Sequence, residues 1–372
     1  MLQWTTGSIT VREQETWCNP LTLKTLHYLT MSSKEKRQKT ILFPHRPGSG
    51  GPGTFQTHFE KVATANGWQI VTGIENIFKA DVVFVVAGTK KIGLLMLAKL
   101  LRIPIIHRLD GINWHYQLSG KSLKVKIVER IRNGIMRIIR KLFANTVVYQ
   151  SRYVQSLWTR TYGTITKKEV IIYNGTDLDQ FIPKDRTPCN TGFKVLCVEG
   201  VVQPDINFIR IFERLHECFV EKGLIQSFEI IGSVSSEYKR KFVHIPSIQF
   251  RGSIPRDAMA ASYRNADLFF CLELNPPCPN SVVEALASGL PVVSFKTGAL
   301  PELVGEAGSL ALYPNELAQS RSMPEIEKLI EAFQEVFDHY DEKAEEARMR
   351  AEHLFSREKM VDLYLNEINQ LL

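Results

Sequence analysis

Ser281 and Glu284 lie three positions apart in the run CPNSVVEALASGLPVV, residues 278–293. In a helix capping box, a serine caps the first turn and a glutamate three positions later reaches back to the serine N–H. The start of a helix also offers unpaired N–H groups and the positive end of a dipole to an anion. The spacing therefore predicts either a helix cap or an anion-binding helix start.

The stretch PGSGGPGTF, residues 47–55, follows the apolar run ILFPH and contains G-x-G-x-x-G. In dinucleotide-binding proteins such glycines follow a strand directly, and an acidic residue comes about 20 positions later. Glu75, 22 positions after Gly53, would fit that pattern, but His45, Arg46 and Pro47 intervene after the strand. A dehydrogenase loop, another phosphate-binding loop and a turn without a ligand remain the alternatives.

The elements around these residues alternate β-rich runs with helical stretches, as in parallel sheets covered by helices. We predict strands in the first half at 40–45, 68–73, 81–86, 104–109, 146–151 and 169–174. The second half repeats the pattern at 193–200, 228–233, 248–253, 266–272 and 291–295. The α/β class with two doubly wound, Rossmann-like domains follows, and a ligand is expected where the carboxyl ends of the strands meet in a cleft.

The length of 372 residues also favours two domains. We expect a poorly ordered extension at 1–37, a first domain at 38–185, a second domain at 186–350, and a C-terminal helix at 351–372 that packs back on the first domain.

Lys90 and Lys91 interrupt the longest apolar run, so no membrane span is predicted. No secretory signal is recognisable at the start, and the six cysteines form no C-x-x-C pair. These features indicate a cytoplasmic protein without a zinc site, either free or peripheral at the inner face of a membrane.

The net charge of +7 is concentrated between residues 121 and 141, where eight bases face one acid, Glu129. The apolar residues of this segment recur at helical spacing: Leu123, Ile127, Ile131, Ile135, Ile138 and Leu142. The pattern predicts a basic amphipathic helix, which is either a solvated face or a contact with an anionic membrane surface. No aromatic platform accompanies the bases, so no nucleic-acid partner is expected.

The run at 278–293, with TGALPELVGEAG (297–308) after it, resembles the nucleotide-sugar site of the family-4 retaining glycosyltransferases. These enzymes have the GT-B architecture, in which two Rossmann-like domains face each other across a cleft. The glycine-rich loop, VVYQSRYVQSLW (147–158) and VIIYNGTDLDQFIP (170–183) agree in the same order. The resemblance covers roughly residues 40 to 370.

The resemblance implies that Glu284 binds the ribose of a nucleoside diphosphate sugar and that the glycine-rich loop faces the diphosphate across the cleft. The donor-binding residues it implies are Glu284, Ser281, Val282, Val283, Asn280, Gly50, Gly51 and Gly200. Glycine suits such a loop because its N–H can approach a phosphate without a Cβ in the way. In the first domain, Asp110 stands where the family carries a histidine beside the reacting sugar, so it is the catalytic candidate. A turn aspartate before Gly111 is the equal alternative.

Two positions depart from the family pattern. Pro276 replaces a glutamate that contacts the transferred sugar, and residues 199–205 (EGVVQPD) contain none of the bases that neutralise the diphosphate. Arg46, Arg251 and Lys296 are the candidates for a replacement cation. Asp177-Leu178-Asp179 is a D-x-D, the metal signature of another glycosyltransferase architecture, but its place at the domain junction argues against that role.

We therefore expect a retaining glycosyltransferase that moves a sugar from a nucleoside diphosphate sugar to a hydroxyl of a saccharide or lipid-linked acceptor, with no metal or other cofactor. The alternatives are a non-catalytic protein of the same fold that binds a sugar nucleotide or saccharide, and a nicotinamide-dependent oxidoreductase.

Overall fold

The computed structural model describes residues 38–48, 50–112, 122–185, 192–201, 208–313 and 325–372. The predicted N-terminal extension, residues 1–37, lies outside the described residues, as do residues 186–191 at the predicted boundary between the two domains. Residues Lys39–Leu372 form one compact unit that contains both predicted sheets.

The first sheet has six parallel strands in the order β2-β1-β3-β4-β5-β6. Its strands are β1 (Thr40–Phe43), β2 (Gln69–Thr72), β3 (Val82–Val86), β4 (Ile105–Leu109), β5 (Thr146–Tyr149) and β6 (Lys168–Ile171). Every side chain of β1 and β4 is buried because helices cover both faces of the sheet.

The second sheet is also parallel and six-stranded, in the order β12-β11-β10-β7-β8-β9. Its strands are β7 (Phe193–Val201), β8 (Ile225–Ser233), β9 (Ile248–Gly252), β10 (Leu268–Phe270), β11 (Val292–Phe295) and β12 (Gly308–Ala311). The predicted α/β class and its two doubly wound sheets are confirmed. The sequence did not predict β12, because GSLA lacks β-branched residues. The strand forms there because Gly308 lets its backbone lie against Val292, whose carbonyl oxygen a Cβ at position 308 would meet at 2.0 Å.

The helices between and after the strands are α1 (Gly51–Ala65), α2 (Ile92–Leu100), α3 (Leu123–Ile138), α4 (Arg152–Tyr162), α5 (Phe208–Leu215), α6 (Ser236–Arg240), α7 (Arg256–Asn265), α8 (Asn280–Ala287), α9 (Leu300–Val304), α10 (Ile326–Asp338), α11 (Tyr340–Leu354) and α12 (Arg357–Asn369). A 3-10 helix covers Ile74–Lys79, and π-helical turns continue α3 and α5 at Ile139–Phe143 and His216–Val220.

The last helix, α12, belongs to the core of the first sheet although it follows the whole second sheet in sequence. Its Tyr364 is fully buried and lies 5.2 Å from the ring of Phe55 and 5.4 Å from that of Phe84, between ring centroids. Met360 and Val361 join the same cluster. The chain therefore crosses from one sheet to the other twice, once after β6 and once before α12.

His107 in β4 is completely buried, and one ring nitrogen lies 2.6 Å from the carbonyl oxygen of Ala87. Burial lowers its pKa from the ordinary value of 6.5 to about 4. Because the unfolded chain takes up this proton at a higher pH than the folded protein, stability is lost as the pH falls from 6.5 towards 4.

We expect a His107→Leu variant to lack this acid sensitivity. Between pH 7.5 and pH 5, the wild type should lose about 2 kcal/mol of unfolding free energy that the variant does not lose. Urea unfolding of both proteins at the two pH values measures the difference. An equal pH dependence in the two proteins would mean that His107 is not the group that titrates.

Candidate functional site

The loops at the carboxyl ends of the two sheets touch each other. Gly111, after β4, is so close to Pro277, after β10, that a Cβ on the glycine would lie 3.1 Å from the proline Cβ. The Ser151 hydroxyl donates to the Pro277 carbonyl oxygen at 2.6 Å. The carboxylate of Glu302 in α9 accepts from the backbone N–H groups of Arg152 and Tyr153 at 2.9 and 2.8 Å. Ligands of doubly wound sheets bind beyond the carboxyl ends of the strands, so this junction borders the expected site.

Asp110 lies at this junction, where it is bound by a fully buried arginine. Its Oδ1 accepts from the guanidinium of Arg108 and, at 2.8 Å, from the side-chain amide of Gln150. The side chain is 18% exposed. Both of these bonds use Oδ1, and Oδ2 has no hydrogen-bond partner among the described residues. Asp110 is thus more than a turn residue, since it neutralises Arg108.

Asn174 carries the same network to the second sheet. Its Oδ1 accepts from Arg108 at 2.8 Å, and its Nδ2 donates to the Cys278 carbonyl oxygen and to the Asn280 side chain, both at 2.9 Å. The backbone N–H of Asn174 also points to the Cys278 sulfur at 3.4 Å. The start of α8 is therefore held by a chain of hydrogen bonds that begins in β4.

Helix α8 begins at Asn280, with Pro279 as its N-cap and no side chain that caps it. The capping-box interpretation is wrong, because the helix starts one residue before Ser281 and Glu284 turns towards another partner. The N–H of Val283 donates to the Pro279 carbonyl oxygen at 3.3 Å. The first three N–H groups of a helix have no intrahelical acceptor, which leaves the backbone of Asn280, Ser281 and Val282 for an anion. The side chains of Val282 and Val283 are buried in the core.

Glu284 is 5% exposed and pairs with Arg256 of α7, with 3.0 Å between Nη2 and Oε1. Burial raises the pKa of this carboxyl to about 7, against the opposing effects of the Arg256 charge and a hydrogen bond from Tyr263. The carboxyl group predicted to bind the ribose therefore changes its protonation near neutral pH.

Arg256 was not predicted, and about half of its side chain is exposed. It occupies the first position of α7, directly after β9, where the helix dipole disfavours a cation. Pairing with Glu284 offsets that cost. Because 28 positions separate Arg256 from Glu284, no local spacing predicts their pairing. The only feature of the sequence that pointed to Arg256 was its position after a predicted strand, at the carboxyl edge of the sheet.

The glycine-rich loop forms the start of α1. Gly50 is the N-cap with a φ of 81°, and a Cβ at Gly50 or Gly51 would have no atom within 4 Å, so this part of the loop borders open space. Further along α1, the pKa of His58 is lowered to about 4 by burial and then by the charges of Arg256 and Arg357. Helix α1 therefore lies near the Arg256–Glu284 pair, although it belongs to the other sheet.

Pro276 is buried and packs into the core of its loop. Its carbonyl oxygen accepts from the Ala299 N–H at 2.9 Å, and Gly298 must lack a side chain because a Cβ would lie 2.5 Å from the Pro276 nitrogen. The backbone at this position therefore holds the loop against the turn at Gly298–Ala299.

One carboxyl group, that of Glu199, lies in the stretch 199–205 where the family pattern would place bases, and a second, that of Glu273, interacts with it. Glu199, beside the exposed Gly200, is near the end of β7, and Glu273 follows the neighbouring strand β10. Burial raises the pKa of both groups, that of Glu273 to about 7, and the charge of Glu273 further raises the pKa of Glu199. A raised pKa favours the neutral form of each carboxyl group, which limits the repulsion of an anionic ligand.

The D-x-D aspartates serve the turn at the junction. Asp177 pairs with Arg357 at 2.8 Å, and its Oδ1 accepts from the N–H groups of Asp179 and Gln180 at 3.2 and 3.3 Å. Across the described ranges, no group of three or more His, Cys, Asp or Glu residues is arranged to hold a metal ion.

The three candidate cations are spread over the molecule. Arg251 lies on the edge strand β9, 3.8 Å from Glu229, and is 59% exposed. Lys296 follows β11, and Arg46 lies in the first sheet's loop after β1; both are exposed. Arg256 is the base that contacts the predicted ribose-binding carboxylate.

The basic segment forms α3 and the π-helical turn after it; Lys121 lies outside the described residues. The apolar residues of its predicted stripe, apart from half-buried Ile135, are largely exposed: Leu123 (73%), Ile127 (47%), Ile131 (56%), Ile138 (46%) and Leu142 (62%). One of the eight bases does not belong to the surface. Arg140 is buried and donates to the Tyr149 hydroxyl and the Gly163 carbonyl oxygen at 2.8 and 2.9 Å. None of the helices in the described part of the chain could cross a bilayer by its length and apolarity.

Comparison with known proteins shows what this geometry is similar to. A family model described as Glycosyl transferases group 1 matches residues 206–332, about a third of the chain, which include α7, Arg256, α8 and Glu284. This match confirms the glycosyltransferase resemblance predicted from the sequence.

Solved glycosyltransferase structures show the fold of the whole described chain. HepE from Anabaena in complex with UDP has a TM-score of 0.66 at 14% identity and covers 90% of this chain and 100% of its own. Sucrose-phosphate synthase from Thermosynechococcus elongatus has a TM-score of 0.65 at 15% identity and covers 90% of this chain and 99% of its own. The two-sheet architecture of these neighbours is the GT-B fold, as predicted.

Among curated proteins, sulfoquinovosyl transferase SQD2 of Arabidopsis thaliana is 22% identical over 248 residues. The match covers 62% of this chain and 45% of that protein, so the chain spans about half the length of the curated relative it matches.

We expect an Arg256→Met variant to raise the pKa of Glu284 above about 7, because the variant loses the positive charge that favours the carboxylate. Carbon-detected NMR titration of the glutamate carboxyl groups, assigned with Glu284→Gln, measures the change. Arg264→Met, in the last turn of the same helix, is the matched control and should leave the titration in place. An unchanged pKa in Arg256→Met would show that the two side chains do not interact in solution.

Proposed function

We propose that this chain is a family-4 retaining glycosyltransferase that moves a sugar from a nucleoside diphosphate sugar to a hydroxyl of a saccharide or lipid-linked acceptor. One observation carries the proposal: the buried Glu284 lies beside the unpaired N–H groups at the start of α8, next to the junction of the two carboxyl edges. A carboxylate and a helix start together match a ribose diol and a diphosphate.

The donor binds mainly to the second domain, residues 186–350. Glu284 accepts hydrogen bonds from the ribose, and the backbone of Asn280, Ser281 and Val282 donates to the diphosphate. Gly50 and Gly51 approach the phosphates from the first domain, residues 38–185, and Gly200 leaves room beside them. Arg256 supplies a positive charge in place of the family's diphosphate-binding bases, which are missing from residues 199–205. HepE has been solved with UDP and with UDP-glucose, so UDP-glucose is the first donor to test.

Transfer with retention proceeds by departure and attack on the same face of the sugar, with the leaving diphosphate helping to take the acceptor's proton. Asp110 lies at the acceptor side, where Oδ2 can hold a hydroxyl or accept its proton. This route requires no protein nucleophile. Burial raises the pKa of the Cys278 thiol to about 12, so this thiol stays protonated at neutral pH.

We expect Glu284→Gln to weaken UDP-glucose binding about 10-fold to 100-fold, because an amide replaces a charged hydrogen-bond acceptor. In the wild type, affinity should rise as the pH increases through about 7, where Glu284 loses its proton. The variant should lack this rise. Calorimetric titration at pH 6, 7 and 8 measures both effects.

Glu229→Gln, on β8 and 23% exposed, is the control and should bind the donor as the wild type does. Panels of UDP-, GDP- and ADP-sugars cover the case in which the nucleotide differs. Donor binding that is indifferent to Glu284 across the whole panel would refute the assigned site.

A second proposal concerns α3, whose exposed apolar stripe and bases suit an anionic membrane surface. Apolar side chains can enter the acyl boundary while bases attract acidic headgroups, each nearby base contributing about 1 kcal/mol. The chemistry supports a peripheral position at a membrane, from which a lipid-linked acceptor could be reached.

We expect the protein to bind phosphatidylglycerol-containing vesicles and to be released by salt. Neutralising Lys124, Lys126, Arg130 and Arg137 should weaken binding at least about tenfold in vesicle sedimentation, since several headgroup contacts are lost. Neutralising Arg240 and Lys241, which are exposed on the second domain, is the control. Equal binding by the quadruple variant and the wild type would contradict the membrane proposal.

A non-catalytic sugar-nucleotide or saccharide-binding protein is the second candidate, and the Glu199–Glu273 pair favours it. Two carboxyl groups near the expected diphosphate stabilise a departing negative charge less than the bases of the family pattern do. Tight binding of a nucleotide sugar with no turnover towards water or any acceptor would support this candidate over the transferase.

A further inference from the structure

Four bases lie in two loops at the carboxyl edge of the first sheet. His45 and Arg46 follow β1, and Lys90 and Lys91 follow β3. In the order β2-β1-β3, the chain leaves β1 in one direction and β3 in the other, so the two loops diverge at the point where such sheets bind ligands. All four side chains are exposed.

A buried threonine ties the two loops together. Thr89 is 3% exposed; its hydroxyl oxygen accepts from the Lys91 N–H at 3.0 Å and lies 2.7 Å from Nε2 of His45. Burial, and then the charge of Lys91, lowers the pKa of His45. The ion pairs within the described part of the chain include none to Arg46, Lys90 or Lys91. Thr89 therefore ties the two loops together, and the side chains of these three bases have no ion-pair partner among the described residues.

We propose that this basic cluster binds a phosphate group carried by the acceptor. The inference rests on the proposed function, because it assigns the acceptor to the first sheet and the donor diphosphate to α8 on the second. Lysines and a histidine donating to phosphate oxygens form charge-assisted hydrogen bonds, which a neutral sugar hydroxyl would not match. The acceptor class is thus a phosphate ester.

The position of the cluster favours a lipid headgroup as the source of that phosphate. Gly88, in the same loop, packs under α3, where its added Cβ would lie 3.1 Å from the side chain of Met136. Helix α3, which carries the exposed apolar stripe, therefore packs through its buried side against the loop that continues to Lys90 and Lys91. A soluble sugar phosphate offers the same chemistry, and the kinetic arm of the test separates the two sources.

The binding test uses inorganic phosphate and glycerol 3-phosphate as probes, titrated by calorimetry with the donor site filled by saturating UDP. We expect binding to the wild type, and at least about tenfold weaker binding to a Lys90→Ala, Lys91→Ala double variant. Lys99→Ala is the matched control, since this lysine lies at the other end of α2 and bonds Asn145. UDP affinity should be the same in all three proteins.

The kinetic arm measures glucose transfer from UDP-glucose to phosphatidylglycerol, to diacylglycerol in neutral vesicles, and to glycerol 3-phosphate. We expect faster transfer to a phosphate ester than to the neutral diacylglycerol. The double variant should have a higher KM for the phosphate ester than the wild type has. Transfer to the lipid alone identifies the headgroup as the source, and transfer to glycerol 3-phosphate identifies a soluble ester.

Three results would overturn the inference: no phosphate binding by the wild type, equal binding by the double variant, or displacement of the probe by UDP. The last result would assign the cluster to the donor. Phosphate binding in a protein that binds no nucleotide sugar would support the phosphate site and contradict the proposed transfer reaction, so the two failures are distinguishable.

Discussion

The junction of the two sheets depends on one buried positive charge. Arg108 is 1% exposed, and a buried charge without partners costs several kcal/mol. Its partners come from separate parts of the first sheet: the Asp110 carboxylate, the Gln150 and Asn174 side chains, and the face of the Phe55 ring, 4.0 Å from the guanidinium carbon. All four must be in place at once. The carboxyl edge of the first sheet is therefore fixed, and Asn174 extends this order to the start of α8.

The electrostatics of the second sheet differ from those expected for a site that holds a diphosphate. In the described residues, positive character there comes from helix starts and from Arg256, and burial raises the pKa of the Glu199 and Glu273 carboxyl groups. Backbone N–H groups and dipoles are permanent and need no side-chain ordering, but they attract an anion less at long range than a mobile lysine or arginine does. A donor would consequently be recognised at short range, by its fit to α8.

The fold could be predicted from the sequence because strands that are buried on both faces of a sheet form continuous apolar runs. Runs such as VVFVV (82–86) are apolar throughout, and eleven of the twelve strands in the described residues were predicted; GSLA (308–311), without β-branched side chains, was not. The residue pairings of the candidate site were harder to predict from the sequence. Ser281 and Glu284 have the capping-box spacing, yet the helix begins at Asn280 and the carboxylate turns to a residue 28 positions away. Pairings of this kind depend on how helices of neighbouring strands pack, which no local spacing records. Likewise, Arg140 counts as a surface base in a helical pattern, but the π-helical turn carries it into the core.

The two chain crossings between the sheets are bonded to each other. The Thr176 N–H donates to the Phe355 carbonyl oxygen at 2.8 Å, the Arg357 N–H donates to the Thr176 carbonyl oxygen at 2.9 Å, and a Cβ on Gly175 would lie 2.6 Å from the Ser356 carbonyl oxygen. The two crossings are therefore joined into one unit. An opening of the cleft that kept these bonds intact would pivot about the crossings and would have to break the contacts at Pro277.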